Sequence, residues 1–381
     1  MNTHPANPVS AAHAGTAAFQ RLRRGAARAA RLLACLVLVA GCDSEPAATP
    51  TDAGNGGQSA AGYAPFSLAN LQSQQARVGA YSAIGAIRKA ASFSAADFGD
   101  DCTSWSPAAT ESADPTKIAS LYIETASLAA KVAGRKDDHA WNVGAAIGAE
   151  IHADICAAIG AGSKTDAATA KDAVGGIGWH AQVVDKSLQH FFYQSVFHEL
   201  SAGARKNWDE AVGYFGADLG GDPAKAQGIA ATTRSRDSGC KTTYHASILA
   251  KMKAGAVALD AALTAAGKTG NEDALVPLPA DVQGIVDDVD RMLREVFALS
   301  VAHELIELKA GDNPTIKLIE ARMYWRILEP FVLGWDADHG TSHAATIAAE
   351  LDKDAAASLD PDAVLAGLEA VFALNAETIC D

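Results

Sequence analysis

Apolar residues recur with helical spacing along almost the whole chain beyond residue 65. Alanine is abundant, runs of β-branched residues are short, and no Asn-Gly pair separates two alternating stretches, so the pattern does not favour strands. The apolar spacing predicts helices over residues 66–90, 114–134, 138–161, 176–203, 207–219, 241–266, 280–310, 314–337 and 361–377. Clusters of Gly, Pro and Asp separate these segments. The sequence therefore predicts an all-α fold, an antiparallel bundle of long helices.

An internal repeat is the most informative feature of the chain. Residues 192–200 read FYQSVFHEL and residues 297–305 read FALSVAHEL, with six of nine positions identical at an offset of 105. Residues 210–215 (EAVGYF) match residues 320–325 (EARMYW) at the Glu, Ala and Tyr positions, at an offset of 110. The two matches together predict an internal pseudo-repeat of helix pairs.

The halves of this pseudo-repeat, at about 176–219 and 285–337, each place an acidic residue on an apolar helix face. Because a helix turns about 100° per residue, Glu304 falls within the apolar face of its helix, and Glu199 has the matching position. A buried acid is costly unless it is paired, protonated or bound to a cation. Because a buried acid occurs at two matched positions, we infer that these acids have a structural or functional role.

The repeated acids and their neighbours form a candidate metal site. In helical bundles, inward carboxylates with nearby histidines on neighbouring helices hold iron or manganese. The expected ligands are Glu199, Glu210, Glu304 and Glu320 through oxygen, His198 and His303 through nitrogen or as hydrogen-bond partners of ligands, and Asp209 as a further oxygen donor. In the alternative interpretation the acids form buried ion pairs with basic residues such as Arg205, Arg322 or Arg326.

The N-terminal segment has the pattern of a bacterial signal peptide. Residues 1–31 contain five Arg and no acidic residue, and residues 32–41 form an apolar run too short for a membrane span. The run ends in Leu38-Val39-Ala40-Gly41-Cys42, which resembles the lipobox of bacterial lipoproteins. That resemblance implies cleavage before Cys42 and lipid on its thiol, which anchors the protein to the cell envelope. The protein would face the periplasm or the cell surface, with the choice of inner or outer membrane open.

Three parts of the chain follow from these patterns. Residues 1–41 are the predicted signal peptide. Residues 42–65 are rich in Ala, Thr, Pro, Gly and Ser and predict a flexible tether. Residues 66–381 are the predicted helical domain.

The mature protein is strongly acidic. The chain has 31 Lys+Arg and 45 Asp+Glu, and removal of residues 1–41 leaves 26 against 45, a net charge of −19. This balance argues against nucleic acid as a partner. The expected partners are a metal ion, the membrane through the lipid, and a transporter or another envelope protein.

Four cysteines remain after the signal peptide and the lipidated Cys42 are set aside. They are Cys102, Cys156, Cys240 and Cys380. An even number in an oxidising compartment predicts two disulfides, and three pairings remain open.

Four short motifs in order resemble the low-iron-inducible periplasmic protein family, known from algae and bacteria. They are His198-Glu199-Leu200, Trp208-Asp209-Glu210-Ala211, Ile248 to Gly255 with Met252, and Glu320 to Pro330 with Tyr324 and Trp325. The match spans about residues 170–335. It departs from the family at Ala321, where glycine is expected, and at Lys206 or Asn207, where a histidine is expected. The resemblance implies a helical fold, an extracytoplasmic location and a role in iron acquisition, with iron as the bound ion.

Two other functions are compatible with parts of the sequence. A weaker resemblance is to imelysin-like helical lipoproteins of iron uptake, whose Gly-x-His-x-x-Glu hallmark is met at Gly178 and His180 but has Val183 in place of the glutamate. An accessory envelope lipoprotein with buried ion pairs and no metal is the other alternative. No Glu-x-x-His occurs in the repeated segments and no Gly-x-Ser-x-Gly in the chain, so no enzymatic activity is expected.

Overall fold

The computed structural model describes residues 62–100, 102, 114–142, 144–240 and 242–374. All of them belong to one unit, Gly57–Asp381. The predicted signal peptide, the lipidation site Cys42, the tether up to residue 61, and Cys380 lie outside the described residues. Within the described ranges, no helix combines the length and the apolarity that a membrane span requires.

The described residues form α-helices joined by loops and short 3-10 turns. The helices are α1 (Gln72–Lys89), α2 (Ile118–Glu124), α3 (Leu128–Gly134), α4 (Ile147–Gly162), α5 (Ile177–Ser201), α6 (Arg205–Phe215), α7 (Gly228–Cys240), α8 (Tyr244–Ala265), α9 (Ala280–Lys309), α10 (Pro314–His339), α11 (His343–Leu351) and α12 (Pro361–Phe372). No strand occurs in these ranges, where the β-type pairing is a single isolated bridge between Ala204 and Ala274. The predicted all-α helical bundle is confirmed, while the antiparallel arrangement and the pseudo-repeat stay predictions.

Helix α5 lies at the centre of the bundle. It contacts α4, α6 and α10, and α9 in turn runs along α8 and α10. From Val184 to Val196 every residue of α5 is buried, which is the pattern of a helix surrounded by others. Phe191 and Phe192 fill the space towards Tyr214 of α6, with ring centroids 5.8 and 6.2 Å away. This packing places the two repeated helix pairs, α5–α6 and α9–α10, side by side in one core.

The predicted helix over 114–134 is broken into α2 and α3. Ala126 and Ser127 have positive φ values of 47° and 55° at the break. This conformation is unfavourable for residues with a Cβ atom, and a long-range contact accompanies it: Arg77 Nε donates a hydrogen bond of 2.9 Å to the Ala126 carbonyl. The local sequence pattern predicted one helix over residues 114–134. The structure has two, and the hydrogen bond from Arg77 lies at the break between them.

The predicted helix over 138–161 also begins later than expected, at Ile147. The preceding segment, residues 135–146, is a loop that we call the α3–α4 loop. A 2.8 Å hydrogen bond from Gly148 N, in the first turn of α4, to Arg135 O joins the two ends of this loop. A Cβ atom at Gly148 would lie 2.1 Å from the Val132 carbonyl oxygen, so glycine permits this close approach.

Two helices, α7 and α11, were not predicted. The segment of α7 is rich in Thr, Ser and Arg and carries little apolar periodicity. Helix α11 begins where Asp336, near the end of α10, accepts hydrogen bonds from His343 N and Ala344 N. A cap supplied by the previous helix is not visible in a local pattern.

The last residues assigned to the tether are held against the body. Tyr63 is 3% exposed, and its hydroxyl donates a 2.8 Å hydrogen bond to Asp209 Oδ1. Its backbone N–H donates to the Leu219 carbonyl at 3.0 Å. Residues that pack on the helical body therefore include Tyr63, which precedes the predicted domain boundary at residue 66.

A disulfide joins Cys102 and Cys156, whose Cα atoms are 5.2 Å apart. This bond selects one of the three pairings that the sequence left open. Cys240 is also disulfide-bonded, and Cys380 lies outside the described residues.

Candidate metal centre

The first repeat brings two acidic side chains together across the turn between α5 and α6. Gly203 makes this turn with a φ of 71°, and a Cβ atom there would lie 2.4 Å from the Leu275 carbonyl oxygen. Glu199 is 5% exposed and accepts a 2.6 Å hydrogen bond from Asn207 Nδ2. Burial and the negative charge of Glu199 raise the pKa of Glu210 to about 7. The two carboxyl groups therefore repel each other when both are ionised.

The cation in contact with Glu199 comes from outside the repeat. Nη2 of Arg135, in the α3–α4 loop, lies 3.3 Å from Glu199 Oε1. Its guanidinium also lies over the rings of Phe191 and Tyr214, at 5.8 and 5.9 Å from the ring centroids. Glu199 is thus paired with a loop residue whose guanidinium lies within 6 Å of two aromatic rings.

The second repeat joins α9 to α10 through a tight connection in which Gly311 and Asn313 have positive φ and Pro314 opens α10. Lys317 therefore lies in the first turn of α10, where its Nζ reaches back to α9. That Nζ lies 2.9 Å from Glu304 Oε2 and 3.5 Å from Glu320 Oε2, and it also contacts Glu307 Oε2. Three carboxylates converge on one ammonium group.

The second pair also has a deeper cation. Nζ of Lys186, on α5, lies 3.3 Å from Glu320 Oε1 and 2.9 Å from Asp185 Oδ2. Burial and the charge of Glu320 raise the pKa of Glu304 to about 7. Burial also opposes ionisation of Glu320, but Lys186 and Lys317 outweigh it and lower its pKa. In each repeat, one acid of the pair has a pKa that is raised to about 7, which is close to neutral pH.

His303 completes a group of metal-type donors in the second repeat. Its Nε2 lies 3.3 Å from Glu307 Oε1, and its Nδ1 is buried without a hydrogen-bond partner among the described residues. Burial and then Arg236 lower the pKa of His303 to about 4, so the imidazole is neutral at physiological pH. Ligand atoms of His303, Glu304 and Glu307 all lie within 4.8 Å of one another. Among the described residues this is the one such group of three or more His, Cys, Asp or Glu side chains.

His198 and Asp209, both expected as ligands, do not join such a group in the first repeat. His198 is 43% exposed, and its Nδ1 contacts Asp138 in the α3–α4 loop. Asp209 is fully buried but faces the N-terminal segment. Its two oxygens accept hydrogen bonds from Tyr63 Oη, Phe66 N, Ser67 N and Asn70 Nδ2. Its contacts therefore give it a structural role in holding residues 63–70.

The basic residues named in the ion-pair alternative have other partners. Arg205 contacts Asp260 at 2.6 Å, and Arg326 contacts Asp154 at 2.5 Å. Arg322 donates to the backbone carbonyls of Leu351 and Lys353. The partners observed for the repeated acids are Arg135, Lys186, Arg236 and Lys317.

Sequence reasoning missed Glu307 and also Lys317, the lysine that contacts all three carboxylates of the donor group. Glu307 follows Glu304 by three residues and His303 by four, which places all three on one side of α9. Lys317 precedes Glu320 by three residues on α10. Both spacings were present in the sequence as signals.

A buried histidine outside the repeat was also missed. His139, in the α3–α4 loop, is 1% exposed, with Nδ1 2.7 Å from Asp137 Oδ1 and Nε2 3.0 Å from Asp290 Oδ1. Tyr193 donates to the same Asp290 oxygen at 2.7 Å. Burial opposes the charged imidazole, but the hydrogen bonds to Asp137 and Asp290 outweigh it and raise the pKa of His139. This network fastens the loop that carries Arg135 to the core.

No protein-family model, curated protein or solved structure matches the chain. The resemblance to the low-iron-inducible periplasmic family therefore stays a prediction from the four motifs. The arguments that follow rest on the geometry of the two repeats.

Proposed function

We propose that the protein is a lipid-anchored, extracytoplasmic lipoprotein that binds iron, or a similar divalent or trivalent ion, and takes part in iron acquisition. The observation that supports this most is the donor group of the second repeat. His303, Glu304 and Glu307 offer ligand atoms within 4.8 Å of one another, and Glu320 reaches the same ammonium group. The lipobox at Cys42 and the four family-like motifs supply the location and the choice of iron.

The donor set suits such an ion. Carboxylate oxygens with an imidazole nitrogen fit iron or manganese better than thiolate-seeking ions. A neutral imidazole is the form that ligates, and burial holds His303 in that form. The carboxylates of Glu304, Glu307 and Glu320 would coordinate an iron ion bound here, and its positive charge would balance their negative charges.

A second function has its own support. Each acid in or beside the donor group of the second repeat has a cation nearby, as an accessory envelope lipoprotein with a structural ion-pair core requires. The acids are Asp185, Glu304, Glu307 and Glu320, and the cations are Arg88, Lys186, Arg236 and Lys317. Equal numbers of opposite charges stabilise a core without a metal ion.

Metal titration separates the two functions. Residues 43–381 are titrated with Fe²⁺ under anaerobic conditions by calorimetry, and the bound iron is counted by elemental analysis. We expect saturable binding in the wild type and its loss in Glu304→Gln/Glu320→Gln. The matched double variant of the first repeat, Glu199→Gln/Glu210→Gln, is expected to keep the second-repeat site.

The outcomes are distinct. Loss of binding in the second-repeat variant alone supports one site at His303, Glu304 and Glu307. Loss of about half of the iron in each variant supports two sites, a number that the sequence leaves open. A folded wild type that binds no iron ends the metal proposal and leaves the ion-pair core as the function of these acids.

A further inference from the structure

We infer that Lys317 is a resident cation that holds the metal's place in the second repeat and leaves when an ion binds. This inference rests on the proposed metal-binding function and adds a specific residue to it. The site would then be an exchange site, in which one positive group of the chain is replaced by a positive ion from solution.

The contacts of Lys317 place its ammonium group at the point where the donors converge. Its Nζ contacts one oxygen each of Glu304, Glu307 and Glu320. An ion that binds Glu304 and Glu307 together with His303 must take nearly the same position, because their ligand atoms span only 4.8 Å. Lysine and ion therefore exclude each other.

Exposure indicates which side of the site is open. The side chains of Glu304 and Glu320 are 4% and 9% exposed, whereas those of Lys317, His303 and Glu307 are 17%, 24% and 31% exposed. Lys317 thus lies between the buried acids and the solvent. Its long flexible side chain can swing outwards while its backbone stays in α10.

Lys186 provides the contrast within the same network. Its side chain is 7% exposed and is held by Asp185 at 2.9 Å on the closed side of the site. Its ammonium also lies 4.8 Å from the ring centroid of Tyr324. Lys186 has no open side and stays in place, so it remains to balance Glu320 after Lys317 departs.

Charge favours the exchange. An ammonium group brings one positive charge to three carboxylates, and a divalent ion brings two at shorter distances of roughly 2.0–2.6 Å. In the matched acid pair of the first repeat, the ion pair of Glu199 is with an arginine instead of a lysine. Arg135, which neutralises Glu199, belongs to a loop that the His139 network fastens to the core.

The test compares Lys317→Met with Lys309→Met, using Mn²⁺ as the probe. Lys309 is 46% exposed and pairs with the exposed Asp362, so its replacement removes one positive charge near the end of α9 without entering the site. We expect Lys317→Met to bind Mn²⁺ about tenfold tighter or more, since the competing cation is gone. Its thermal midpoint should fall without metal and recover with Mn²⁺, and Lys309→Met should behave as the wild type.

Failure of this inference and failure of the proposed function give different results. If the wild type binds Mn²⁺ and Lys317→Met binds it no tighter, the exchange role of Lys317 is wrong and the metal site stands. If neither protein binds Mn²⁺ or Fe²⁺, the metal function is wrong and the exchange with it.

A second measurement covers a Lys317→Met variant that does not fold. The wild type is treated with an amine-acylating reagent with and without Mn²⁺, and labelled peptides are mapped by mass spectrometry. We expect labelling of Lys317 to rise severalfold with Mn²⁺, while Lys186 stays unlabelled in both samples. Unchanged labelling of Lys317 at saturating Mn²⁺ would overturn the inference.

Discussion

The two repeated helix pairs contain the same acids but neutralise them differently. In α5–α6, the cation beside Glu199 is Arg135, delivered by a loop 64 residues earlier in the chain. In α9–α10, Lys317 lies on the second helix of the pair itself, and Lys186 reaches in from α5. The matched positions thus set where the acids point, and residues that the two copies do not share decide which cations face them.

This difference separates local from non-local causes. Helical periodicity alone turns Glu199 and Glu304 inwards, because each helix determines its own apolar face. The partner of a buried charge depends on which elements pack against that face. A repeated motif is therefore good evidence for a repeated geometry and weaker evidence for a repeated site.

The largest expected effect comes from removing the buried cation of each pair. Lys186→Met leaves Asp185 and Glu320 with one cation fewer in a closed environment, and we expect a loss of about 3–5 kcal/mol in unfolding free energy. Arg135→Met should cost less, on the order of 2 kcal/mol, because Asn207 still donates to Glu199. Urea denaturation followed by circular dichroism measures both.

Lys309→Met is the control for this pair of variants. Its exposed ion pair with Asp362 is expected to contribute less than about 1 kcal/mol. Equal losses in Lys186→Met and Lys309→Met would show that the second repeat has no buried ion network of consequence.

An intermediate effect is expected from pH. Burial and the neighbouring acid raise the pKa of Glu304 in the folded protein from 4.5 to about 7. A raised acid pKa gives stability that is present below the unfolded value and is lost as the pH rises through the folded value. The stability of the wild type relative to Glu304→Gln should therefore fall between about pH 4.5 and 7, by about 3 kcal/mol.

Glu210→Gln tests the same property in the first repeat. The direction is the same, because the pKa of Glu210 is also raised to about 7. Its effect should be smaller, since Glu210 is only half-buried. Urea midpoints at pH 5 and pH 8 give the comparison, and stability curves of wild type and variants that run parallel would contradict it.

The smallest effect concerns the two matched histidines. His198 is 43% exposed beside the exposed Asp138, so His198→Ala should change the stability by less than about 0.5 kcal/mol. His303 is 24% exposed and lies within the acid group, so His303→Ala should cost about 1 kcal/mol. Thermal melting without metal measures the difference. Equal effects would mean that the two repeats treat their histidines alike.

Sequence predicted the long helices well because their signal is local. The observed α5, α9 and α10 agree with the predicted segments to within about two residues at each end. The prediction was wrong for residues 138–146, where alanine content favoured a helix and the contacts of His139 with Asp290 hold a loop. It also missed α7, whose polar sequence has little apolar periodicity and which packs against α5, α6, α8 and α9.

The candidate site was predictable to a similar degree. The inward acids followed from periodicity and repetition, and Glu307 and Lys317 were within reach of the same spacing argument. Arg135, Lys186 and Arg236 were not, because they reach the acids from other elements across long sequence separations. The prediction for Asp209 was misleading because adjacent residues on a helix point in different directions. Glu210 lies near Glu199, whereas Asp209 accepts hydrogen bonds from residues 63–70.

The hydrogen bonds between Asp209 and the N-terminal segment have a mechanical consequence. A pull on the chain from the N-terminal side of Tyr63 enters the body at the Asp209 carboxylate and the Leu219 carbonyl, in and just after α6. Asp209 lies between the buried Trp208 and Glu210 of the first acid pair. Force on the N-terminal segment is thus transmitted first to the first repeat, through Asp209, and not directly to the second repeat that contains Lys317.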